Sequence, residues 1–506
     1  MADTKREIER KYEAAAGDEL PDLTGVRGVA AVTDKGVAEL DATYYDTPDE
    51  RLARASLTLR RRTGGGDAGW HLKLPVAEGV RDEIRAPLSD TVPPALFGLV
   101  RSRVRDAELV PVVRLRSERD IRRLVDADGA LLAEVSLDRV RAERLSGGSG
   151  TAEWTEIEVE LADDGDPAFL DKVDKKLRKA GLNRSSAASK LARALEETGR
   201  GTEPAAAGPG KKPVTAGDHV LAYVRAQRDA IVELDPAVRR DVFDSVHSMR
   251  VATRRLRGTL RSYAKVLDRG VTDPIADELK WLAGELGVDR DQEVLTDRLT
   301  AAVSALPEPL IAGPVLRRLR TWSTARRGGS RRRLTAVLDG ERYLALLDTL
   351  DTLVADPPLL KAATGTPSKV IAGAVRKDFR KLAGLVGQAL DLPPGHDRDT
   401  AMHEARKKAK RARYAAEAAV PSLGQPAGAL VKSMKSLQTL LGDHQDSVMA
   451  RSALRELSAQ AYTARENTFT YGVLYGREER RAAEGEAALP ATWEAATSEG
   501  AAGRPI

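Results

Sequence analysis

Two short segments of this 506-residue chain alternate in a way that few folds accommodate. Glu7-Ile8-Glu9-Arg10-Lys11 and Glu156-Ile157-Glu158-Val159-Glu160 place charge at every second position. In a strand, residues i, i+2 and i+4 share a face. Glu7, Glu9 and Lys11 therefore lie on one side, as do Glu156, Glu158 and Glu160. A face turned to a core should be apolar. Carboxylates there are costly unless a cation neutralises them, and hard divalent cations take oxygen ligands. The alternative is two exposed faces of an ordinary sheet, since charged residues mostly sit at surfaces.

A chain of this length suggests about two to four domains. Hydrophobic residues make up 42% and aromatic ones only 4%, so cores must be built from Leu, Val and Ala. There is no cysteine. Disulfides, zinc–thiolate sites and cysteine nucleophiles are excluded. No apolar run reaches the roughly 18 residues of a membrane span, and the first residues, MADTKREIERKYE, lack the apolar stretch of a signal peptide. A cytoplasmic protein with no membrane partner is the expectation. The net charge of +5 is too small to imply a polyanion partner by itself; the arrangement of basic residues matters more.

Residues 1–199 alternate repeatedly: Val37–Tyr45, Ser56–Arg62, Gly69–Leu74, Val80–Leu88, Val112–Leu124, Leu131–Val140 and Glu153–Leu161. With the first strand they suit an antiparallel sheet or closed barrel. Two helices are expected, over Pro167–Lys179 and Ser185–Glu197. Residues 200–215 are rich in Gly, Pro and Ala and read as a linker. Beyond them Ala, Leu, Arg, Lys and Glu dominate, all good helix formers. Residues 481–506 are expected to be a flexible tail. The fold class is thus α+β multidomain, a β barrel with short helices followed by an all-α half over residues 216–480.

That second half repeats itself. Val246-His247-Ser248-Met249-Arg250 begins a stretch that recurs at Met402-His403-Glu404-Ala405-Arg406, with basic residues at the same offsets from each histidine. Leu286-Gly287-Val288-Asp289-Arg290-Asp291 and Leu441-Gly442-Asp443-His444-Gln445-Asp446 form a second matched pair. Two motifs that keep order and spacing imply two similar helical bundles in tandem.

In the barrel half, basic residues alternate too: Arg60 with Arg62, His71 with Lys73, and Arg81 with Glu83 and Arg85. Faces that carry both signs can line an interior that binds polyphosphate and metal, or they can be surface ion pairs worth roughly 0–1 kcal/mol each. The ordered set resembles the CYTH family, the triphosphate tunnel metalloenzymes. It comprises Glu7–Lys11, Leu59–Arg62, Trp70–Lys73, Arg81–Glu83, Ala133–Asp138, Glu156–Glu160 and Ser189–Leu191. His71 departs from the pattern, standing where many members have a small hydroxylated residue. The resemblance implies an eight-stranded antiparallel tunnel and metal-dependent triphosphate hydrolysis. Glu7, Glu9 and Lys11 would be catalytic. Glu7, Glu9, Asp138, Glu156 and Glu158 would hold Mg²⁺ or Mn²⁺. Arg60, Arg62, Lys73, Arg81, Glu83, Arg119 and Lys190 would form the substrate site, with Arg114 a further possible lining residue. Trp70 and Tyr44 offer stacking groups, should the substrate be a nucleotide or thiamine triphosphate.

At about 100° per residue, His247, Arg250, Arg254, Arg257 and Arg261 fall within roughly an 80° sector. Met249, Ala252, Leu256 and Leu260 lie opposite. His403, Arg406, Lys410 and Arg413 repeat the stripe. It can be a solvated face, but dense like charge is more tolerable under a polyanion. Interleaved aromatics for base stacking are missing, so nucleic acid is not the expected partner. Residues 216–480 resemble the CHAD domain, which implies helical bundles that bind inorganic polyphosphate through these two stripes. The combined expectation is an inorganic triphosphatase tethered to a polyphosphate-binding module, in the cytoplasm and associated with polyphosphate granules. The alternatives are a nucleotide or thiamine triphosphatase, an adenylate cyclase of the same superfamily, and a non-catalytic polyphosphate scaffold.

Overall fold

The computed structural model describes residues 3–199, 212–327 and 330–501, in two compact units, Met1–Pro209 and Gly210–Ile506. Of the linker expected at 200–215, all but the last four residues lie outside the described residues.

The first unit is a closed antiparallel barrel. Its strands are β1 (Asp3–Ala14), β2 (Ala31–Asp46), β3 (Thr58–Thr63), β4 (Gly69–Ala77), β5 (Val80–Ala86), β6 (Val110–Val125), β7 (Leu131–Arg144) and β8 (Thr151–Leu161). They run in the order β5-β4-β3-β2-β6-β7-β8-β1, and β1 closes the circle. It does so by dividing its length: Asp3–Ile8 pair with β5 and Glu9–Ala14 with β8. A two-residue strand, β9 (Asn183–Arg184), adds to β1 at Tyr12 and Glu13.

Alternation sends charge inward and apolar residues outward, and the outward faces are covered. Tyr12, Val135, Leu137, Ile157 and Val159 pack under α3 (Ala168–Lys179) through Phe169, Leu170, Val173 and Leu177. Leu59, Trp70, Leu72 and Ile84 pack under α2 (Pro94–Val104), while α1 (Arg51–Arg54) adds Leu52. Toward one end the inward positions turn apolar. Ala42, Tyr44, Val113, Leu115, Val140, Ala142 and Trp154 meet Leu191, Ala194 and Leu195 of α4 (Lys190–Glu197). Full burial of Leu191 and Leu195 contributes roughly 1.5–3 kcal/mol each. This fixes α4 as a plug and holds Lys190, its first residue, in place.

The second unit is helical: α5 (Ala216–Arg239), α6 (Ser245–Ser262), α7 (Arg269–Glu285), α8 (Val288–Ser304), α9 (Val315–Arg327), α10 (Ser330–Asp339), α11 (Glu341–Ala355), α12 (Pro367–Asp391), α13 (His396–Leu423), α14 (Gln425–Thr463) and α15 (Phe469–Ala501). The histidine motifs occupy α6 and α13, and the second matched pair lies at the α7–α8 junction and in α14. Apolar residues of both repeats meet in one core, where Met249, Leu256 and Ile275 pack with Ala405, Ala412 and Leu437. The buried alanines of α13 let its neighbours approach closely. A smaller cluster joins α8, α9, the second half of α14 and the start of α15. The expected tail is corrected over most of its length. Residues 481–501 continue α15, with Leu489 and Ala496 buried in the main core and Trp493 stacked on Phe379 at 5.5 Å. Reading its Ala, Gly and Glu content as tail composition missed the apolar positions that dock it. Among the described residues no helix is long and apolar enough to cross a membrane.

Candidate functional site

The barrel interior is a cavity of about 260 Å³, smaller than the roughly 300–1,000 Å³ of sites for drug-sized ligands. Glu7, Glu9 and Lys11 of β1, Arg60 and Arg62 of β3, Lys73 of β4, Arg81 and Glu83 of β5, Arg119 of β6, Glu158 of β8 and Lys190 of α4 all line it. So do Lys5, Arg85, Arg123, Glu134 and Glu160, which were not assigned as site residues from the sequence. Their signal was the same alternation; Lys5 and Arg85 each lie two positions beyond an assigned residue. Arg114 faces outward to Asp41. Trp70 is corrected as a stacking group: it is buried beneath α2 and donates to the Ser89 carbonyl, whereas Tyr44 lines the cavity.

Carboxylate oxygens of Asp138, Glu156 and Glu158 lie within 4.8 Å of one another. The Lys190 ammonium sits among them, 2.9 Å from Asp138, 2.6 Å from Glu156 and 2.7 Å from Glu158. Close as these contacts are, Lys190 Nζ and Glu156 Oε1 lack hydrogen-bond geometry and remain buried without a directional partner. The ammonium acts there as a point charge where a metal ion could sit. Three hard oxygen donors this close together fit a divalent cation. Arg119 braces the group through Asp138 and Glu158, both at 2.7 Å. Glu7 and Glu9 fall outside this cluster. Glu7 accepts from Lys73 at 2.5 Å, and Glu9 shares Lys11 with Glu158 at 3.3 and 2.7 Å. Glu83 anchors the opposite wall, bonding His71 Nδ1 at 2.9 Å and Arg85 at 2.5 Å, with Arg60 3.6 Å away. The substitution at His71 thus buttresses Glu83. Arg81 donates to the Ala188 carbonyl at 2.6 Å and so holds the loop that leads into α4.

In the helical unit the stripe residues fall largely as expected: Met249, Ala252, Leu256 and Leu260 are core, and the basic row is exposed or half-buried. Matched glycines seat matched arginines. A Cβ on Gly287 would meet Arg250 at 2.6 Å, and one on Gly442 would meet Arg406 at 3.6 Å. His247 is exposed, whereas His403 Nδ1 lies 2.6 Å from Gln445 Oε1. Arg261 reaches Asp277 at 3.4 Å. Arg413 is tied to Glu417 at 2.8 Å, which also takes Arg255 from α6.

A CYTH domain model matches residues 5–195 and a CHAD domain model residues 222–455. An uncharacterized protein of Mycobacterium tuberculosis (strain H37Rv) is 39% identical over 487 residues, 93% of this chain and 92% of its own length. The chain belongs to the CYTH–CHAD family. Among solved structures, PptA from Streptomyces chartreusis aligns with 55% of this chain and 99% of its own, at 20% identity and a TM-score of 0.45. The CHAD domain from the plant Ricinus communis aligns with 58% of this chain and 95% of its own, at 23% identity and a TM-score of 0.42.

Charge pairing in the CYTH unit decides its protonation. Burial would raise the pKa of Glu158, but Lys11, Lys190 and Arg119 hold it well below its ordinary value. Burial is likewise outweighed at Asp138 by Arg119 and Lys190, and at Glu9 by Lys11 and Lys73. Glu7 goes the other way, raised by burial despite Lys73. Burial and the neighbouring Arg60 and Arg119 lower Arg62, a crowding of cations that an anion would relieve.

A pH dependence follows. Groups with lowered folded pKa values stabilise the fold above their unfolded pKa and lose that contribution as pH falls toward the folded value. The stability contributed by Glu9, Asp138 and Glu158 should therefore hold down to the ordinary carboxylate value, 4.5 for glutamate, and decline below it. Glu7 contributes with the opposite sign. Denaturation across that window checks this: Glu158→Gln should flatten the decline, and an unchanged slope would contradict the assignment.

Proposed function

We propose that the CYTH unit hydrolyses inorganic triphosphate with Mg²⁺ or Mn²⁺, and that the CHAD unit binds inorganic polyphosphate. The observation that carries the reading is the carboxylate trio, closed around an ammonium and faced by cations that crowd one another. Such an interior suits a small polyanion together with a metal ion. Asp138, Glu156 and Glu158 would hold the cation. Bound there, a divalent ion supplies Lewis-acid stabilisation of phosphoryl oxygens and lowers the pKa of a bound water.

The chain's own residues do the rest. Arg60, Arg62, Lys73, Arg119 and Lys11 present fixed donors to phosphate oxygens, as preorganised stabilisers of developing charge. Glu7 and Glu83 keep Lys73 and Arg60 aimed. The apolar plug of α4 closes one end, so a phosphate chain enters from the other side by its terminus. This favours triphosphate over internal cleavage of a long polymer. Only one of the two considered aromatic residues, Tyr44, reaches the cavity, which supports an inorganic substrate over one carrying a base. In the CHAD unit, seated Arg250 and Arg406 support a ligand recognised by charge and spacing alone. Covalent linkage of the two units would raise the local concentration of polyphosphate near the tunnel.

Phosphate release by the full-length protein tests this reading. Inorganic triphosphate, ATP, thiamine triphosphate and long polyphosphate are offered in parallel with Mg²⁺ or Mn²⁺. Fastest release from inorganic triphosphate is expected. Faster turnover of ATP or thiamine triphosphate would move the assignment to those substrates, cyclic AMP formed from ATP would make the unit a cyclase, and no turnover with polyphosphate still bound would make the protein a scaffold.

A further inference from the structure

The CHAD unit holds a second cluster with ligand chemistry, far in sequence from the tunnel residues. His444, within the Leu441–Asp446 repeat motif, is buried in the middle of α14. Its Nε2 lies 3.1 Å from Asp399 Oδ1 of α13 and 3.5 Å from Glu486 Oε1 of α15. Despite this proximity, Nε2 has no hydrogen bond of good geometry and is shielded from solvent. A buried ring nitrogen aimed between two carboxylates without bonding either is an unusual arrangement for a simple ion pair.

We propose that Asp399, His444 and Glu486 form a zinc-class metal site that clasps three helices. The three ligand atoms lie within 4.8 Å of one another. Ligands about 2.0–2.1 Å from a tetrahedral Zn²⁺ stand roughly 3.3–3.4 Å apart, a value that the two histidine–carboxylate separations straddle. One imidazole and two carboxylates suit Zn²⁺ better than the all-oxygen trio of the tunnel does. The outer carboxylate oxygens are already occupied: Arg451 takes Asp399 Oδ2 at 3.2 Å, and Arg398 takes Glu486 Oε2 at 3.4 Å. Such partners orient ligating carboxylates and leave the inner oxygens for the ion. Because the guanidiniums offset the carboxylate charge, binding rests on coordination more than on net charge. His444 also borders a groove of about 730 Å³ with Asp443, Ser447 and Arg481. Glu486 lies beyond the segment that matches the CHAD model, so the site ties the terminal helix α15 to the domain.

The test uses full-length protein carrying Glu156→Gln and Glu158→Gln, so that the tunnel trio does not enter the count. After treatment with chelator, Zn²⁺ binding is measured by equilibrium dialysis, thermal midpoints are recorded with and without Zn²⁺, and Co²⁺ is added as a spectroscopic probe. One zinc equivalent should disappear on adding His444→Gln, and likewise with Asp399→Asn. Zinc should raise the thermal midpoint of the parent alone, and Co²⁺ should give it tetrahedral d–d bands. No zinc bound by the parent, or an equivalent retained in both variants, overturns the proposal. If the variants fail to fold, the cobalt spectrum of the parent decides: absence of the tetrahedral bands overturns it equally.

Discussion

Glu158→Gln is expected to lower triphosphate turnover by roughly 10²–10³-fold, the range associated with losing one preorganised electrostatic partner of a transition state. Glu158 joins three cations of the site. It lies 2.7 Å from each of the Lys11, Lys190 and Arg119 cations, accepting a hydrogen bond from Arg119, and completes the trio with Asp138 and Glu156. The amide keeps the shape and one acceptor oxygen but removes the charge that would hold a metal. Breaking a buried ion pair can destabilise by about 3–5 kcal/mol, so the thermal midpoint must be followed alongside the rate. A folded variant that loses turnover, with partial rescue at high Mg²⁺ or Mn²⁺, supports a metal-holding role. A folded variant with unchanged turnover would remove the trio from the reaction. Glu9→Ala should also abolish most turnover. Excess metal should rescue it less, because Glu9 stands outside the trio and acts through Lys11.

The second large effect is expected on the helical face. Arg254→Glu with Arg257→Glu should weaken polyphosphate binding by two orders of magnitude or more and leave triphosphate hydrolysis unchanged. Arg257 sits among like charges: burial, Arg261 and Arg254 together push its pKa below the ordinary value. A bound polyanion relieves that repulsion, and reversal of two charges replaces attraction with repulsion. The salt dependence gives an independent check. Each phosphate neutralised on a flexible single-stranded polyanion contributes about 0.7 to the slope of log affinity against log salt. Loss of two contacts should therefore flatten the slope by about 1.4 or more. Equal affinity and equal slope in the folded variant would show that the stripe is a solvated face.

Much of this was legible from spacing. Alternation at Glu7–Lys11 and Glu156–Glu160 gathered the charges on one face, because a strand cannot send neighbouring residues to the same side, and the CYTH resemblance turned that face inward. Helical spacing separated the core of α6 from its basic row, and the duplicated motif located α13. What alternation could not supply was distance. It ranked Glu7, Glu9, Asp138, Glu156 and Glu158 as equals, while register and strand tilt gather only the last three. It offered Trp70 as a stacking group, although Trp70 lies one residue from His71 and three from Lys73 and so belongs to the opposite face. The repeat suggested two bundles, and what it could not supply is that apolar residues from both copies are continuous in one core. The terminal segment looked like a tail by composition, while its buried Leu489 and Ala496 pack on helices distant in sequence.

The sequence by itself determined which residues share a strand face, which half is barrel and which is helical, and where the two basic stripes lie. These depend only on the periods of strand and helix, which local backbone geometry imposes. The tertiary structure alone decided that α4 plugs the barrel and lodges Lys190 among three carboxylates. It alone brought His444 between Asp399 and Glu486. Both depend on contacts between segments far apart in the chain, set by packing that no local period encodes.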